Sequence, residues 1–185
     1  MATEALKSTS ITNLDSTPIT ANTAGEGAPG ALKCANDSVS STAGVTVGST
    51  YRVCRIPTNA KVKSVKFSCA AHGGASAFDI DVAYTDSTNE GGAGALTGIV
   101  QISAADNKLF GAAVSAVSAL SDAVETLANT FTIAMKNVPL WQALITAGTT
   151  DFTADPGGYF DIMLKSTATD TSGGALGIEV DYVMD

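Results

Sequence analysis

The chain has a single histidine, His72, which lies in the segment His72-Gly73-Gly74. A serine hydrolase needs a histidine beside a serine and an acid, but no Gly-x-Ser-x-Gly motif lies near it. Asp79 and Asp81 would share one strand face about 7 Å apart, yet nothing indicates the apolar pocket that would raise the pKa of one of them for glycoside hydrolysis. Phosphate-binding, dinucleotide-binding and His-Glu-x-x-His motifs are absent from the sequence. We therefore predict that the protein is not an enzyme.

The sequence also gives little support for a metal or a cofactor. Cys34, Cys54 and Cys69 are odd in number, are spaced by 20 and 15 residues, and include no Cys-x-x-Cys pair. Buried free thiols explain this pattern better than a zinc site or a disulfide framework. Asp86 and Glu90 lie in a Gly-rich loop, but the ligand spacing of an EF-hand is missing. We predict no cofactor and no metal.

Charge limits the classes of partner. The net charge of −8 argues against nucleic acid, because duplex binding requires neutralisation of phosphates. No apolar run approaches the 18 residues of a membrane span, and the N-terminus lacks a basic region followed by an apolar stretch. One stretch, 51–67, is basic and contains no acid. Its cations are Arg52, Arg55, Lys61, Lys63 and Lys66. They indicate either a solvated strand face or an electropositive edge that docks on an acidic neighbour.

Three strands are predicted between residues 51 and 84, at 52–56, 61–69 and 78–84. Pro57 disfavours helical angles at the preceding residue, and Gly73 and Gly74 supply the next turn. The third strand alternates, so that Phe78, Ile80, Val82 and Tyr84 should face a core while Asp79, Asp81 and Ala83 face water.

Further strands are predicted at 32–39, 96–103, 131–135, 159–166 and 175–183. A short helix should start at Pro139 and end at Gly148. In residues 105–130, the part up to Leu120 fits either a helix or a strand, and residues 121–129 are predicted to form a loop or one helical turn. Acids recur on the predicted outward faces of three strands, and they could form a cation site, although solvated negative surface is the simpler interpretation. These acids are Asp79, Asp81, Asp161, Glu179 and Asp181.

Eight or nine short strands separated by turns predict an all-β fold, an antiparallel β-sandwich over residues 31–185, most simply a jelly roll with one or two short helices. Residues 1–30 are rich in small polar residues and cannot fold alone. They form either a floppy tail or an extended N-terminal arm along a partner, seating Leu6, Ile11, Leu14 and Ile19 in shallow pockets.

Several runs of the sequence resemble the head decoration, or capsid cement, proteins of tailed bacteriophages. The most specific feature is the order in which the runs occur over residues 50–185. They are YRVCRIPTNAKVKSVKFSC, FDIDVAYTDS, DNKLFGAAVS, VPLWQAL and DPGGYFDIMLKSTATDTSGGALGIEVDYV.

The resemblance implies a jelly-roll-like virion subunit, assembled in the host cytoplasm, that forms a dimer or trimer and clamps the outer capsid surface. Its partners would be the major capsid protein and further copies of itself. Candidate partner-binding residues fall in the arm and the basic run: Leu6, Ile11, Leu14, Ile19, Arg52, Arg55, Lys61 and Lys63. Two alternatives remain open, namely a carbohydrate- or receptor-binding β-sandwich of a head fibre and another virion component of the neck, tail or baseplate.

Overall fold

Alternating apolar residues and glycine-rich turns produce a chain built mainly of strands. The structure, a computed structural model, describes residues 5–18, 32–85, 99–101, 108–125, 131–148 and 153–184. The strands are β1 Ala5–Lys7, β2 Leu32–Ser41, β3 Thr50–Pro57, β4 Lys61–Cys69, β5 Ala77–Thr85, β6 Ile99–Gln101, β7 Gly111–Ser115, β8 Leu120–Glu125, β9 Tyr159–Ser166 and β10 Gly174–Val183. The helices are α1 Thr9–Leu14, a 3₁₀ turn Met135–Asn137 and α2 Leu140–Ala147.

Within these ranges the strands form two sheets that pack face to face. Sheet A has the order β1-β3-β9-β5-β6, with β7 also paired to β5, and sheet B has the order β2-β10-β4-β8. Neighbouring strands are antiparallel except β1, which runs parallel to β3. The predicted all-β sandwich is confirmed.

The strand order is that of a jelly roll. If β2 to β10 are drawn as one long hairpin, the pairs from its open end to its tip are β2 with β10, β3 with β9, β4 with β8 and β5 with β7. Winding that hairpin adds the pairs β10–β4 and β5–β9, which close each sheet. The four hairpin pairs, eight strands without β6, therefore divide alternately between the two sheets, as in a double Greek key, and β6 adds to the edge of sheet A beside β5.

This winding separates strands that are adjacent in sequence. The three strands predicted between residues 51 and 84 are confirmed as β3, β4 and β5, but β4 lies in sheet B while β3 and β5 flank β9 in sheet A. Each of the turns that follow β3 and β4 therefore carries the chain across the sandwich rather than into a neighbouring strand.

The core lies between the sheets and is centred on aromatic side chains. Tyr51 and Phe78 meet edge to face with ring centroids 6.0 Å apart, and Phe67 lies 6.2 Å from Phe78. Phe110 and Phe131 belong to the same core, and their ring centroids approach to 4.9 Å. Full burial of each such ring contributes roughly 1.5–3 kcal/mol, so these aromatic contacts stabilise the packing of the two sheets.

Helix α2 confirms the predicted short helix. Pro139 occupies the N-cap position without a side-chain cap hydrogen bond, and Gly148 ends the helix with φ +114°, a left-handed angle that glycine adopts without strain. Leu140, Ala143 and Leu144 are buried on one side of the helix, so α2 closes one end of the sandwich.

Several other predictions need comment. The strand predicted at 131–135 is wrong, because this segment forms turns that lead into the 3₁₀ turn Met135–Asn137. Phe131 and Met135 are buried in this turn conformation. For the stretch up to Leu120, the structure supports the strand alternative with β7. The loop or helical turn predicted at 121–129 is wrong over residues 121–125, which belong to strand β8, and residues 105–107 and 126–130 lie outside the described residues. Of the strand predicted at 96–103, Ile99–Gln101 is confirmed and the remainder lies outside the described residues. In the described part of the chain, no helix is long and apolar enough to cross a membrane.

Candidate functional site

The outer face of sheet A carries acids that are buried. Asp79, Asp81 and Asp161 were predicted to face water, but their exposed fractions are 5%, 0% and 0%. The alternation along β5 and β9 is as predicted, since the residues that alternate with these acids along the strands, among them Phe78 and Ile80, face the core. The prediction of solvated acids is wrong because other segments of the chain cover this face.

The segment leading into β7 covers Asp79 and Asp81. The backbone N–H of Lys108 donates to Oδ1 of Asp81 at 2.5 Å, and the N–H of Ala113 donates to Oδ1 of Asp79 at 2.7 Å. Both donor residues have positive φ, +81° at Lys108 and +47° at Ala113, which is uncommon outside glycine. The strained backbone thus directs one N–H at each carboxylate.

The second oxygen of each carboxylate is poorly satisfied. Oδ2 of Asp79 lies 3.7 Å from the ammonium of Lys108, whose side chain is 54% exposed. Oδ2 of Asp81 is buried and has no hydrogen-bond partner among the described residues. Burial is the main cause that raises the pKa of Asp81 to about 6, against the partial compensation of the Lys108 N–H.

The N-terminal segment covers another part of the outer face of sheet A, next to β3. β1 extends the sheet beside β3, and Ser8 then caps α1 while its hydroxyl donates to the carbonyl of Val53 at 2.6 Å. Ile11 is fully buried, and Leu6 is half-buried against the core. Residues 5–18 are therefore docked on their own sandwich rather than extended away from it.

A buried ion cluster fixes this docking. Asp161 on β9 accepts hydrogen bonds from Arg52 at 2.5 Å and from Nε of Arg55 at 2.7 Å. Arg55 also reaches Asp15 at 2.5 Å, and Asp15 binds Lys7 at 2.6 Å. Burial alone would lower the pKa of Arg55, but the Asp161 and Asp15 carboxylates raise it above its ordinary value. The cluster links β3, β9 and the N-terminal segment.

The predicted basic edge is therefore divided. Arg52 and Arg55 pair internally on sheet A, while Lys61 and Lys63 lie on sheet B, where Lys63 donates to the carbonyl of Lys136 at 2.7 Å. The burial of Ile11 and Arg52 leaves them unavailable at the surface in this conformation.

Partner contact through Leu6, Lys61 and Lys63 stays a prediction. The side chain of Leu14 and the whole of Ile19 lie outside what the structure describes.

His72 belongs to a buried cluster that the sequence did not reveal. Its Nδ1 lies 2.6 Å from Oδ2 of Asp170, which also accepts from the Ser41 hydroxyl at 3.1 Å. Its Nε2 faces the carbonyl of Ala175 at 3.2 Å. A nucleophilic triad needs serine and acid on opposite ring nitrogens, whereas here both lie at Nδ1. The cluster ties three turns together, and the acid that pairs with His72 is separated from it by 98 residues.

Asp170 is the centre of that cluster. Its Oδ1 accepts from the N–H groups of Ser172 and Gly173. Burial acts to raise the pKa of Asp170, but the hydrogen bonds from His72 and the two backbone groups outweigh it and lower the pKa below its ordinary value. The Asp-x-Ser-Gly sequence of this turn was the available signal, because aspartate often bonds to backbone two residues on.

The outer face of sheet B differs from that of sheet A because none of the segments that the structure describes covers it across β2, β10 and β4. Three rows of outward residues run across β2, β10 and β4, and their side chains are short and mainly uncharged. We call these nine positions the open face: Ser38, Gly177 and Ser68; Asn36, Glu179 and Lys66; Cys34, Asp181 and Ser64. A shallow groove follows its first two rows.

Charges on the open face are paired with each other. Lys66 lies 2.5 Å from Glu179 and 3.6 Å from Asp181, and Ser64 donates to Asp181 at 2.7 Å. The Glu179 hydrogen bond is the main cause that raises the pKa of Lys66.

Potential ligand atoms of Cys34, Glu179 and Asp181 lie within 4.8 Å of one another. Burial, followed by the two carboxylates, raises the pKa of the Cys34 thiol, which keeps the sulfur protonated. Both acids are already bound to Lys66, so a cation would have to compete with that ammonium for their oxygens.

Comparisons with known proteins leave the family open. No protein-family model matches the chain, and no curated protein matches it. Among solved structures, the chain is similar to the cyanophage Pam1 capsid asymmetric unit, with 15% sequence identity and a TM-score of 0.48. The similarity covers 92% of this chain and 96% of that chain. At this identity and TM-score it assigns neither a family nor a role.

Proposed function

We propose that this chain is a bacteriophage virion protein that binds the outer surface of the head as a decoration, or cement, protein. The ordered sequence resemblance to that family supports the proposal, and the jelly-roll strand order agrees with the fold that the resemblance implies. A protein with this task works by contact area repeated over a symmetric shell, so it needs a broad docking surface.

The open face is the observation that carries the proposal. Its longest strands, β2 and β10, have ten residues, about 33 Å, and its three strands spaced about 4.8 Å apart give a width of about 10–14 Å. The resulting area of about 330–460 Å² is about half of one side of a standard protein interface. Sheet A cannot offer an equivalent surface, because residues 5–18 and 108–113 cover its outer side.

The chemistry of the open face favours a flat protein surface as its partner. Asn36, Ser38 and Ser68 provide hydrogen-bonding groups on short side chains that lose little conformational entropy on binding. Because Lys66 is already paired with Glu179, docking of this face should depend only weakly on salt. In this proposal the major capsid protein is the partner, and the lysines at positions 61 and 63 add a peripheral attraction.

Heads assembled without this protein provide the test. Purified protein added to such heads should sediment with them at a saturating, reproducible stoichiometry and should delay shell disruption on heating. A protein that ignores heads but blocks adsorption of the phage to cells would instead support the receptor-binding alternative. Binding to isolated necks, tails or baseplates would place the protein elsewhere on the particle, and either result would refute the proposal.

A further inference from the structure

Asp79 and Asp81 form a carboxylate pair that the proposed capsid role does not use. We propose that this pair binds a hard divalent cation, for which calcium is the best-suited probe, between the Oδ2 atoms on the outer face of sheet A. The proposal is independent of head binding, because the open face lies on the other sheet.

The hydrogen bonds of the pair determine which oxygens are available. Each Oδ1 accepts a backbone N–H, from Ala113 for Asp79 and from Lys108 for Asp81. Each Oδ2 therefore remains for another ligand, and the two residues lie at i and i+2 on the same side of β5. Carboxylate oxygens at 2.3–2.6 Å are the ligands that calcium takes in proteins.

The unpartnered Oδ2 of Asp81 is what points to a ligand. An ionised carboxylate that is fully buried with one oxygen unsatisfied is unfavourable unless a positive charge or a donor meets it. A bound cation would supply the charge without protonating the carboxylate.

The neighbouring protein cations do not fill this role. Lys108 is 3.7 Å from Oδ2 of Asp79 and half-exposed, so its flexible ammonium can move aside. Lys165 on β9 lies opposite Asp79 in the register and lowers the pKa of Asp81 only as a secondary cause. Arg52, in the same row of the sheet as Asp81, is bound to Asp161. None of these three cations therefore supplies the missing charge at Oδ2 of Asp81.

Thermal unfolding of the full chain at pH 7.5, in EDTA or in increasing calcium, tests the proposal. At ten times Kd, calcium should raise Tm by about 3–6 °C, with magnesium less effective because it requires stricter geometry. Asp81→Asn and Asp79→Asn should each abolish the calcium-dependent rise in Tm. The rise is measured within each variant, as the difference between Tm in calcium and Tm in EDTA, so that the variant's own stability cancels. Lys108→Gln should lower the half-saturating calcium concentration, because it removes the internal competitor.

The acids of the open face provide the control. Glu179→Gln combined with Asp181→Asn should leave the calcium response intact. Equal Tm values in EDTA and in 10 mM calcium, magnesium or manganese for the wild-type chain and Lys108→Gln would overturn the proposal. A response that survives Asp81→Asn and Asp79→Asn, or one lost only in the open-face double variant, would also overturn it.

Discussion

Arg52 on β3 donates from Nε to Oδ2 of Asp161 on the neighbouring strand β9 at 2.5 Å, with both side chains buried on the outer face of sheet A. Asp161 also binds Arg55, which in turn holds Asp15 of the N-terminal segment. One carboxylate therefore balances two buried guanidinium groups, and the N-terminal segment depends on the second of them.

Asp161→Asn should destabilise the chain strongly. The substitution leaves Arg52 and Arg55 buried with their main counter-charge removed, and breaking a buried pair in this way costs about 3–5 kcal/mol. Urea unfolding followed by circular dichroism measures the change. Lys66→Gln, which breaks the half-exposed pair with Glu179, should produce a much smaller change; comparable losses in the two variants would contradict the role assigned to Asp161.

Asp15→Asn should loosen residues 5–15 without unfolding the sandwich, because it weakens the bonds to Arg55 and Lys7. Hydrogen exchange is the suitable measurement. The N–H of Ser8, which donates to the carbonyl of Arg52, should exchange faster, while the amides of β10 keep their protection. Unchanged exchange at Ser8 would mean that the apolar contacts of Ile11 hold the segment without the ion cluster.

Asp81→Asn should stabilise the chain in EDTA at pH 8. Because folding raises the pKa of Asp81 from 3.8 to about 6, the folded state binds its proton more tightly than the unfolded state. The contribution of this group to stability therefore falls as pH rises from about 4 to about 6 and remains unfavourable above that. Asparagine carries no charge, so we expect a gain of about 1–3 kcal/mol at pH 8 that disappears near pH 4. A gain independent of pH would contradict the buried-charge explanation.

Gly173→Ala should be among the most damaging small substitutions. Both Gly173, at φ +69°, and Gly44, at φ +79°, require left-handed backbone, so alanine is strained by about 1–2 kcal/mol at either. At Gly173 the new Cβ would also lie 2.6 Å from the backbone carbon of Thr42, whereas Gly44 has open space. Denaturant midpoints should therefore drop much further for Gly173→Ala than for its Gly44→Ala control. Equal drops would show that the turn at Gly173 relaxes.

The sequence predicted elements better than it predicted their surroundings. Strands such as β9 and β10 follow from local alternation and turn residues, and the predicted jelly roll has the observed strand order. Period two also identified which residues share a face with Asp79, but it could not show that residues 108–113 cover that face. The contact of His72 with Asp170 could not be predicted for the same reason, because the segments that contain the two residues are brought together only by the winding of the whole hairpin.

Binding to heads by a matched pair of serine variants tests the proposed role most directly. Ser38 and Ser115 are both exposed strand residues, on the open face of sheet B and on β7 of sheet A respectively. Ser38→Arg should reduce occupancy on heads at least tenfold, because a long charged side chain prevents close approach of two flat surfaces, while Ser115→Arg should bind as the wild type does. Full occupancy by Ser38→Arg, with loss of binding by Ser115→Arg, would contradict docking through the open face.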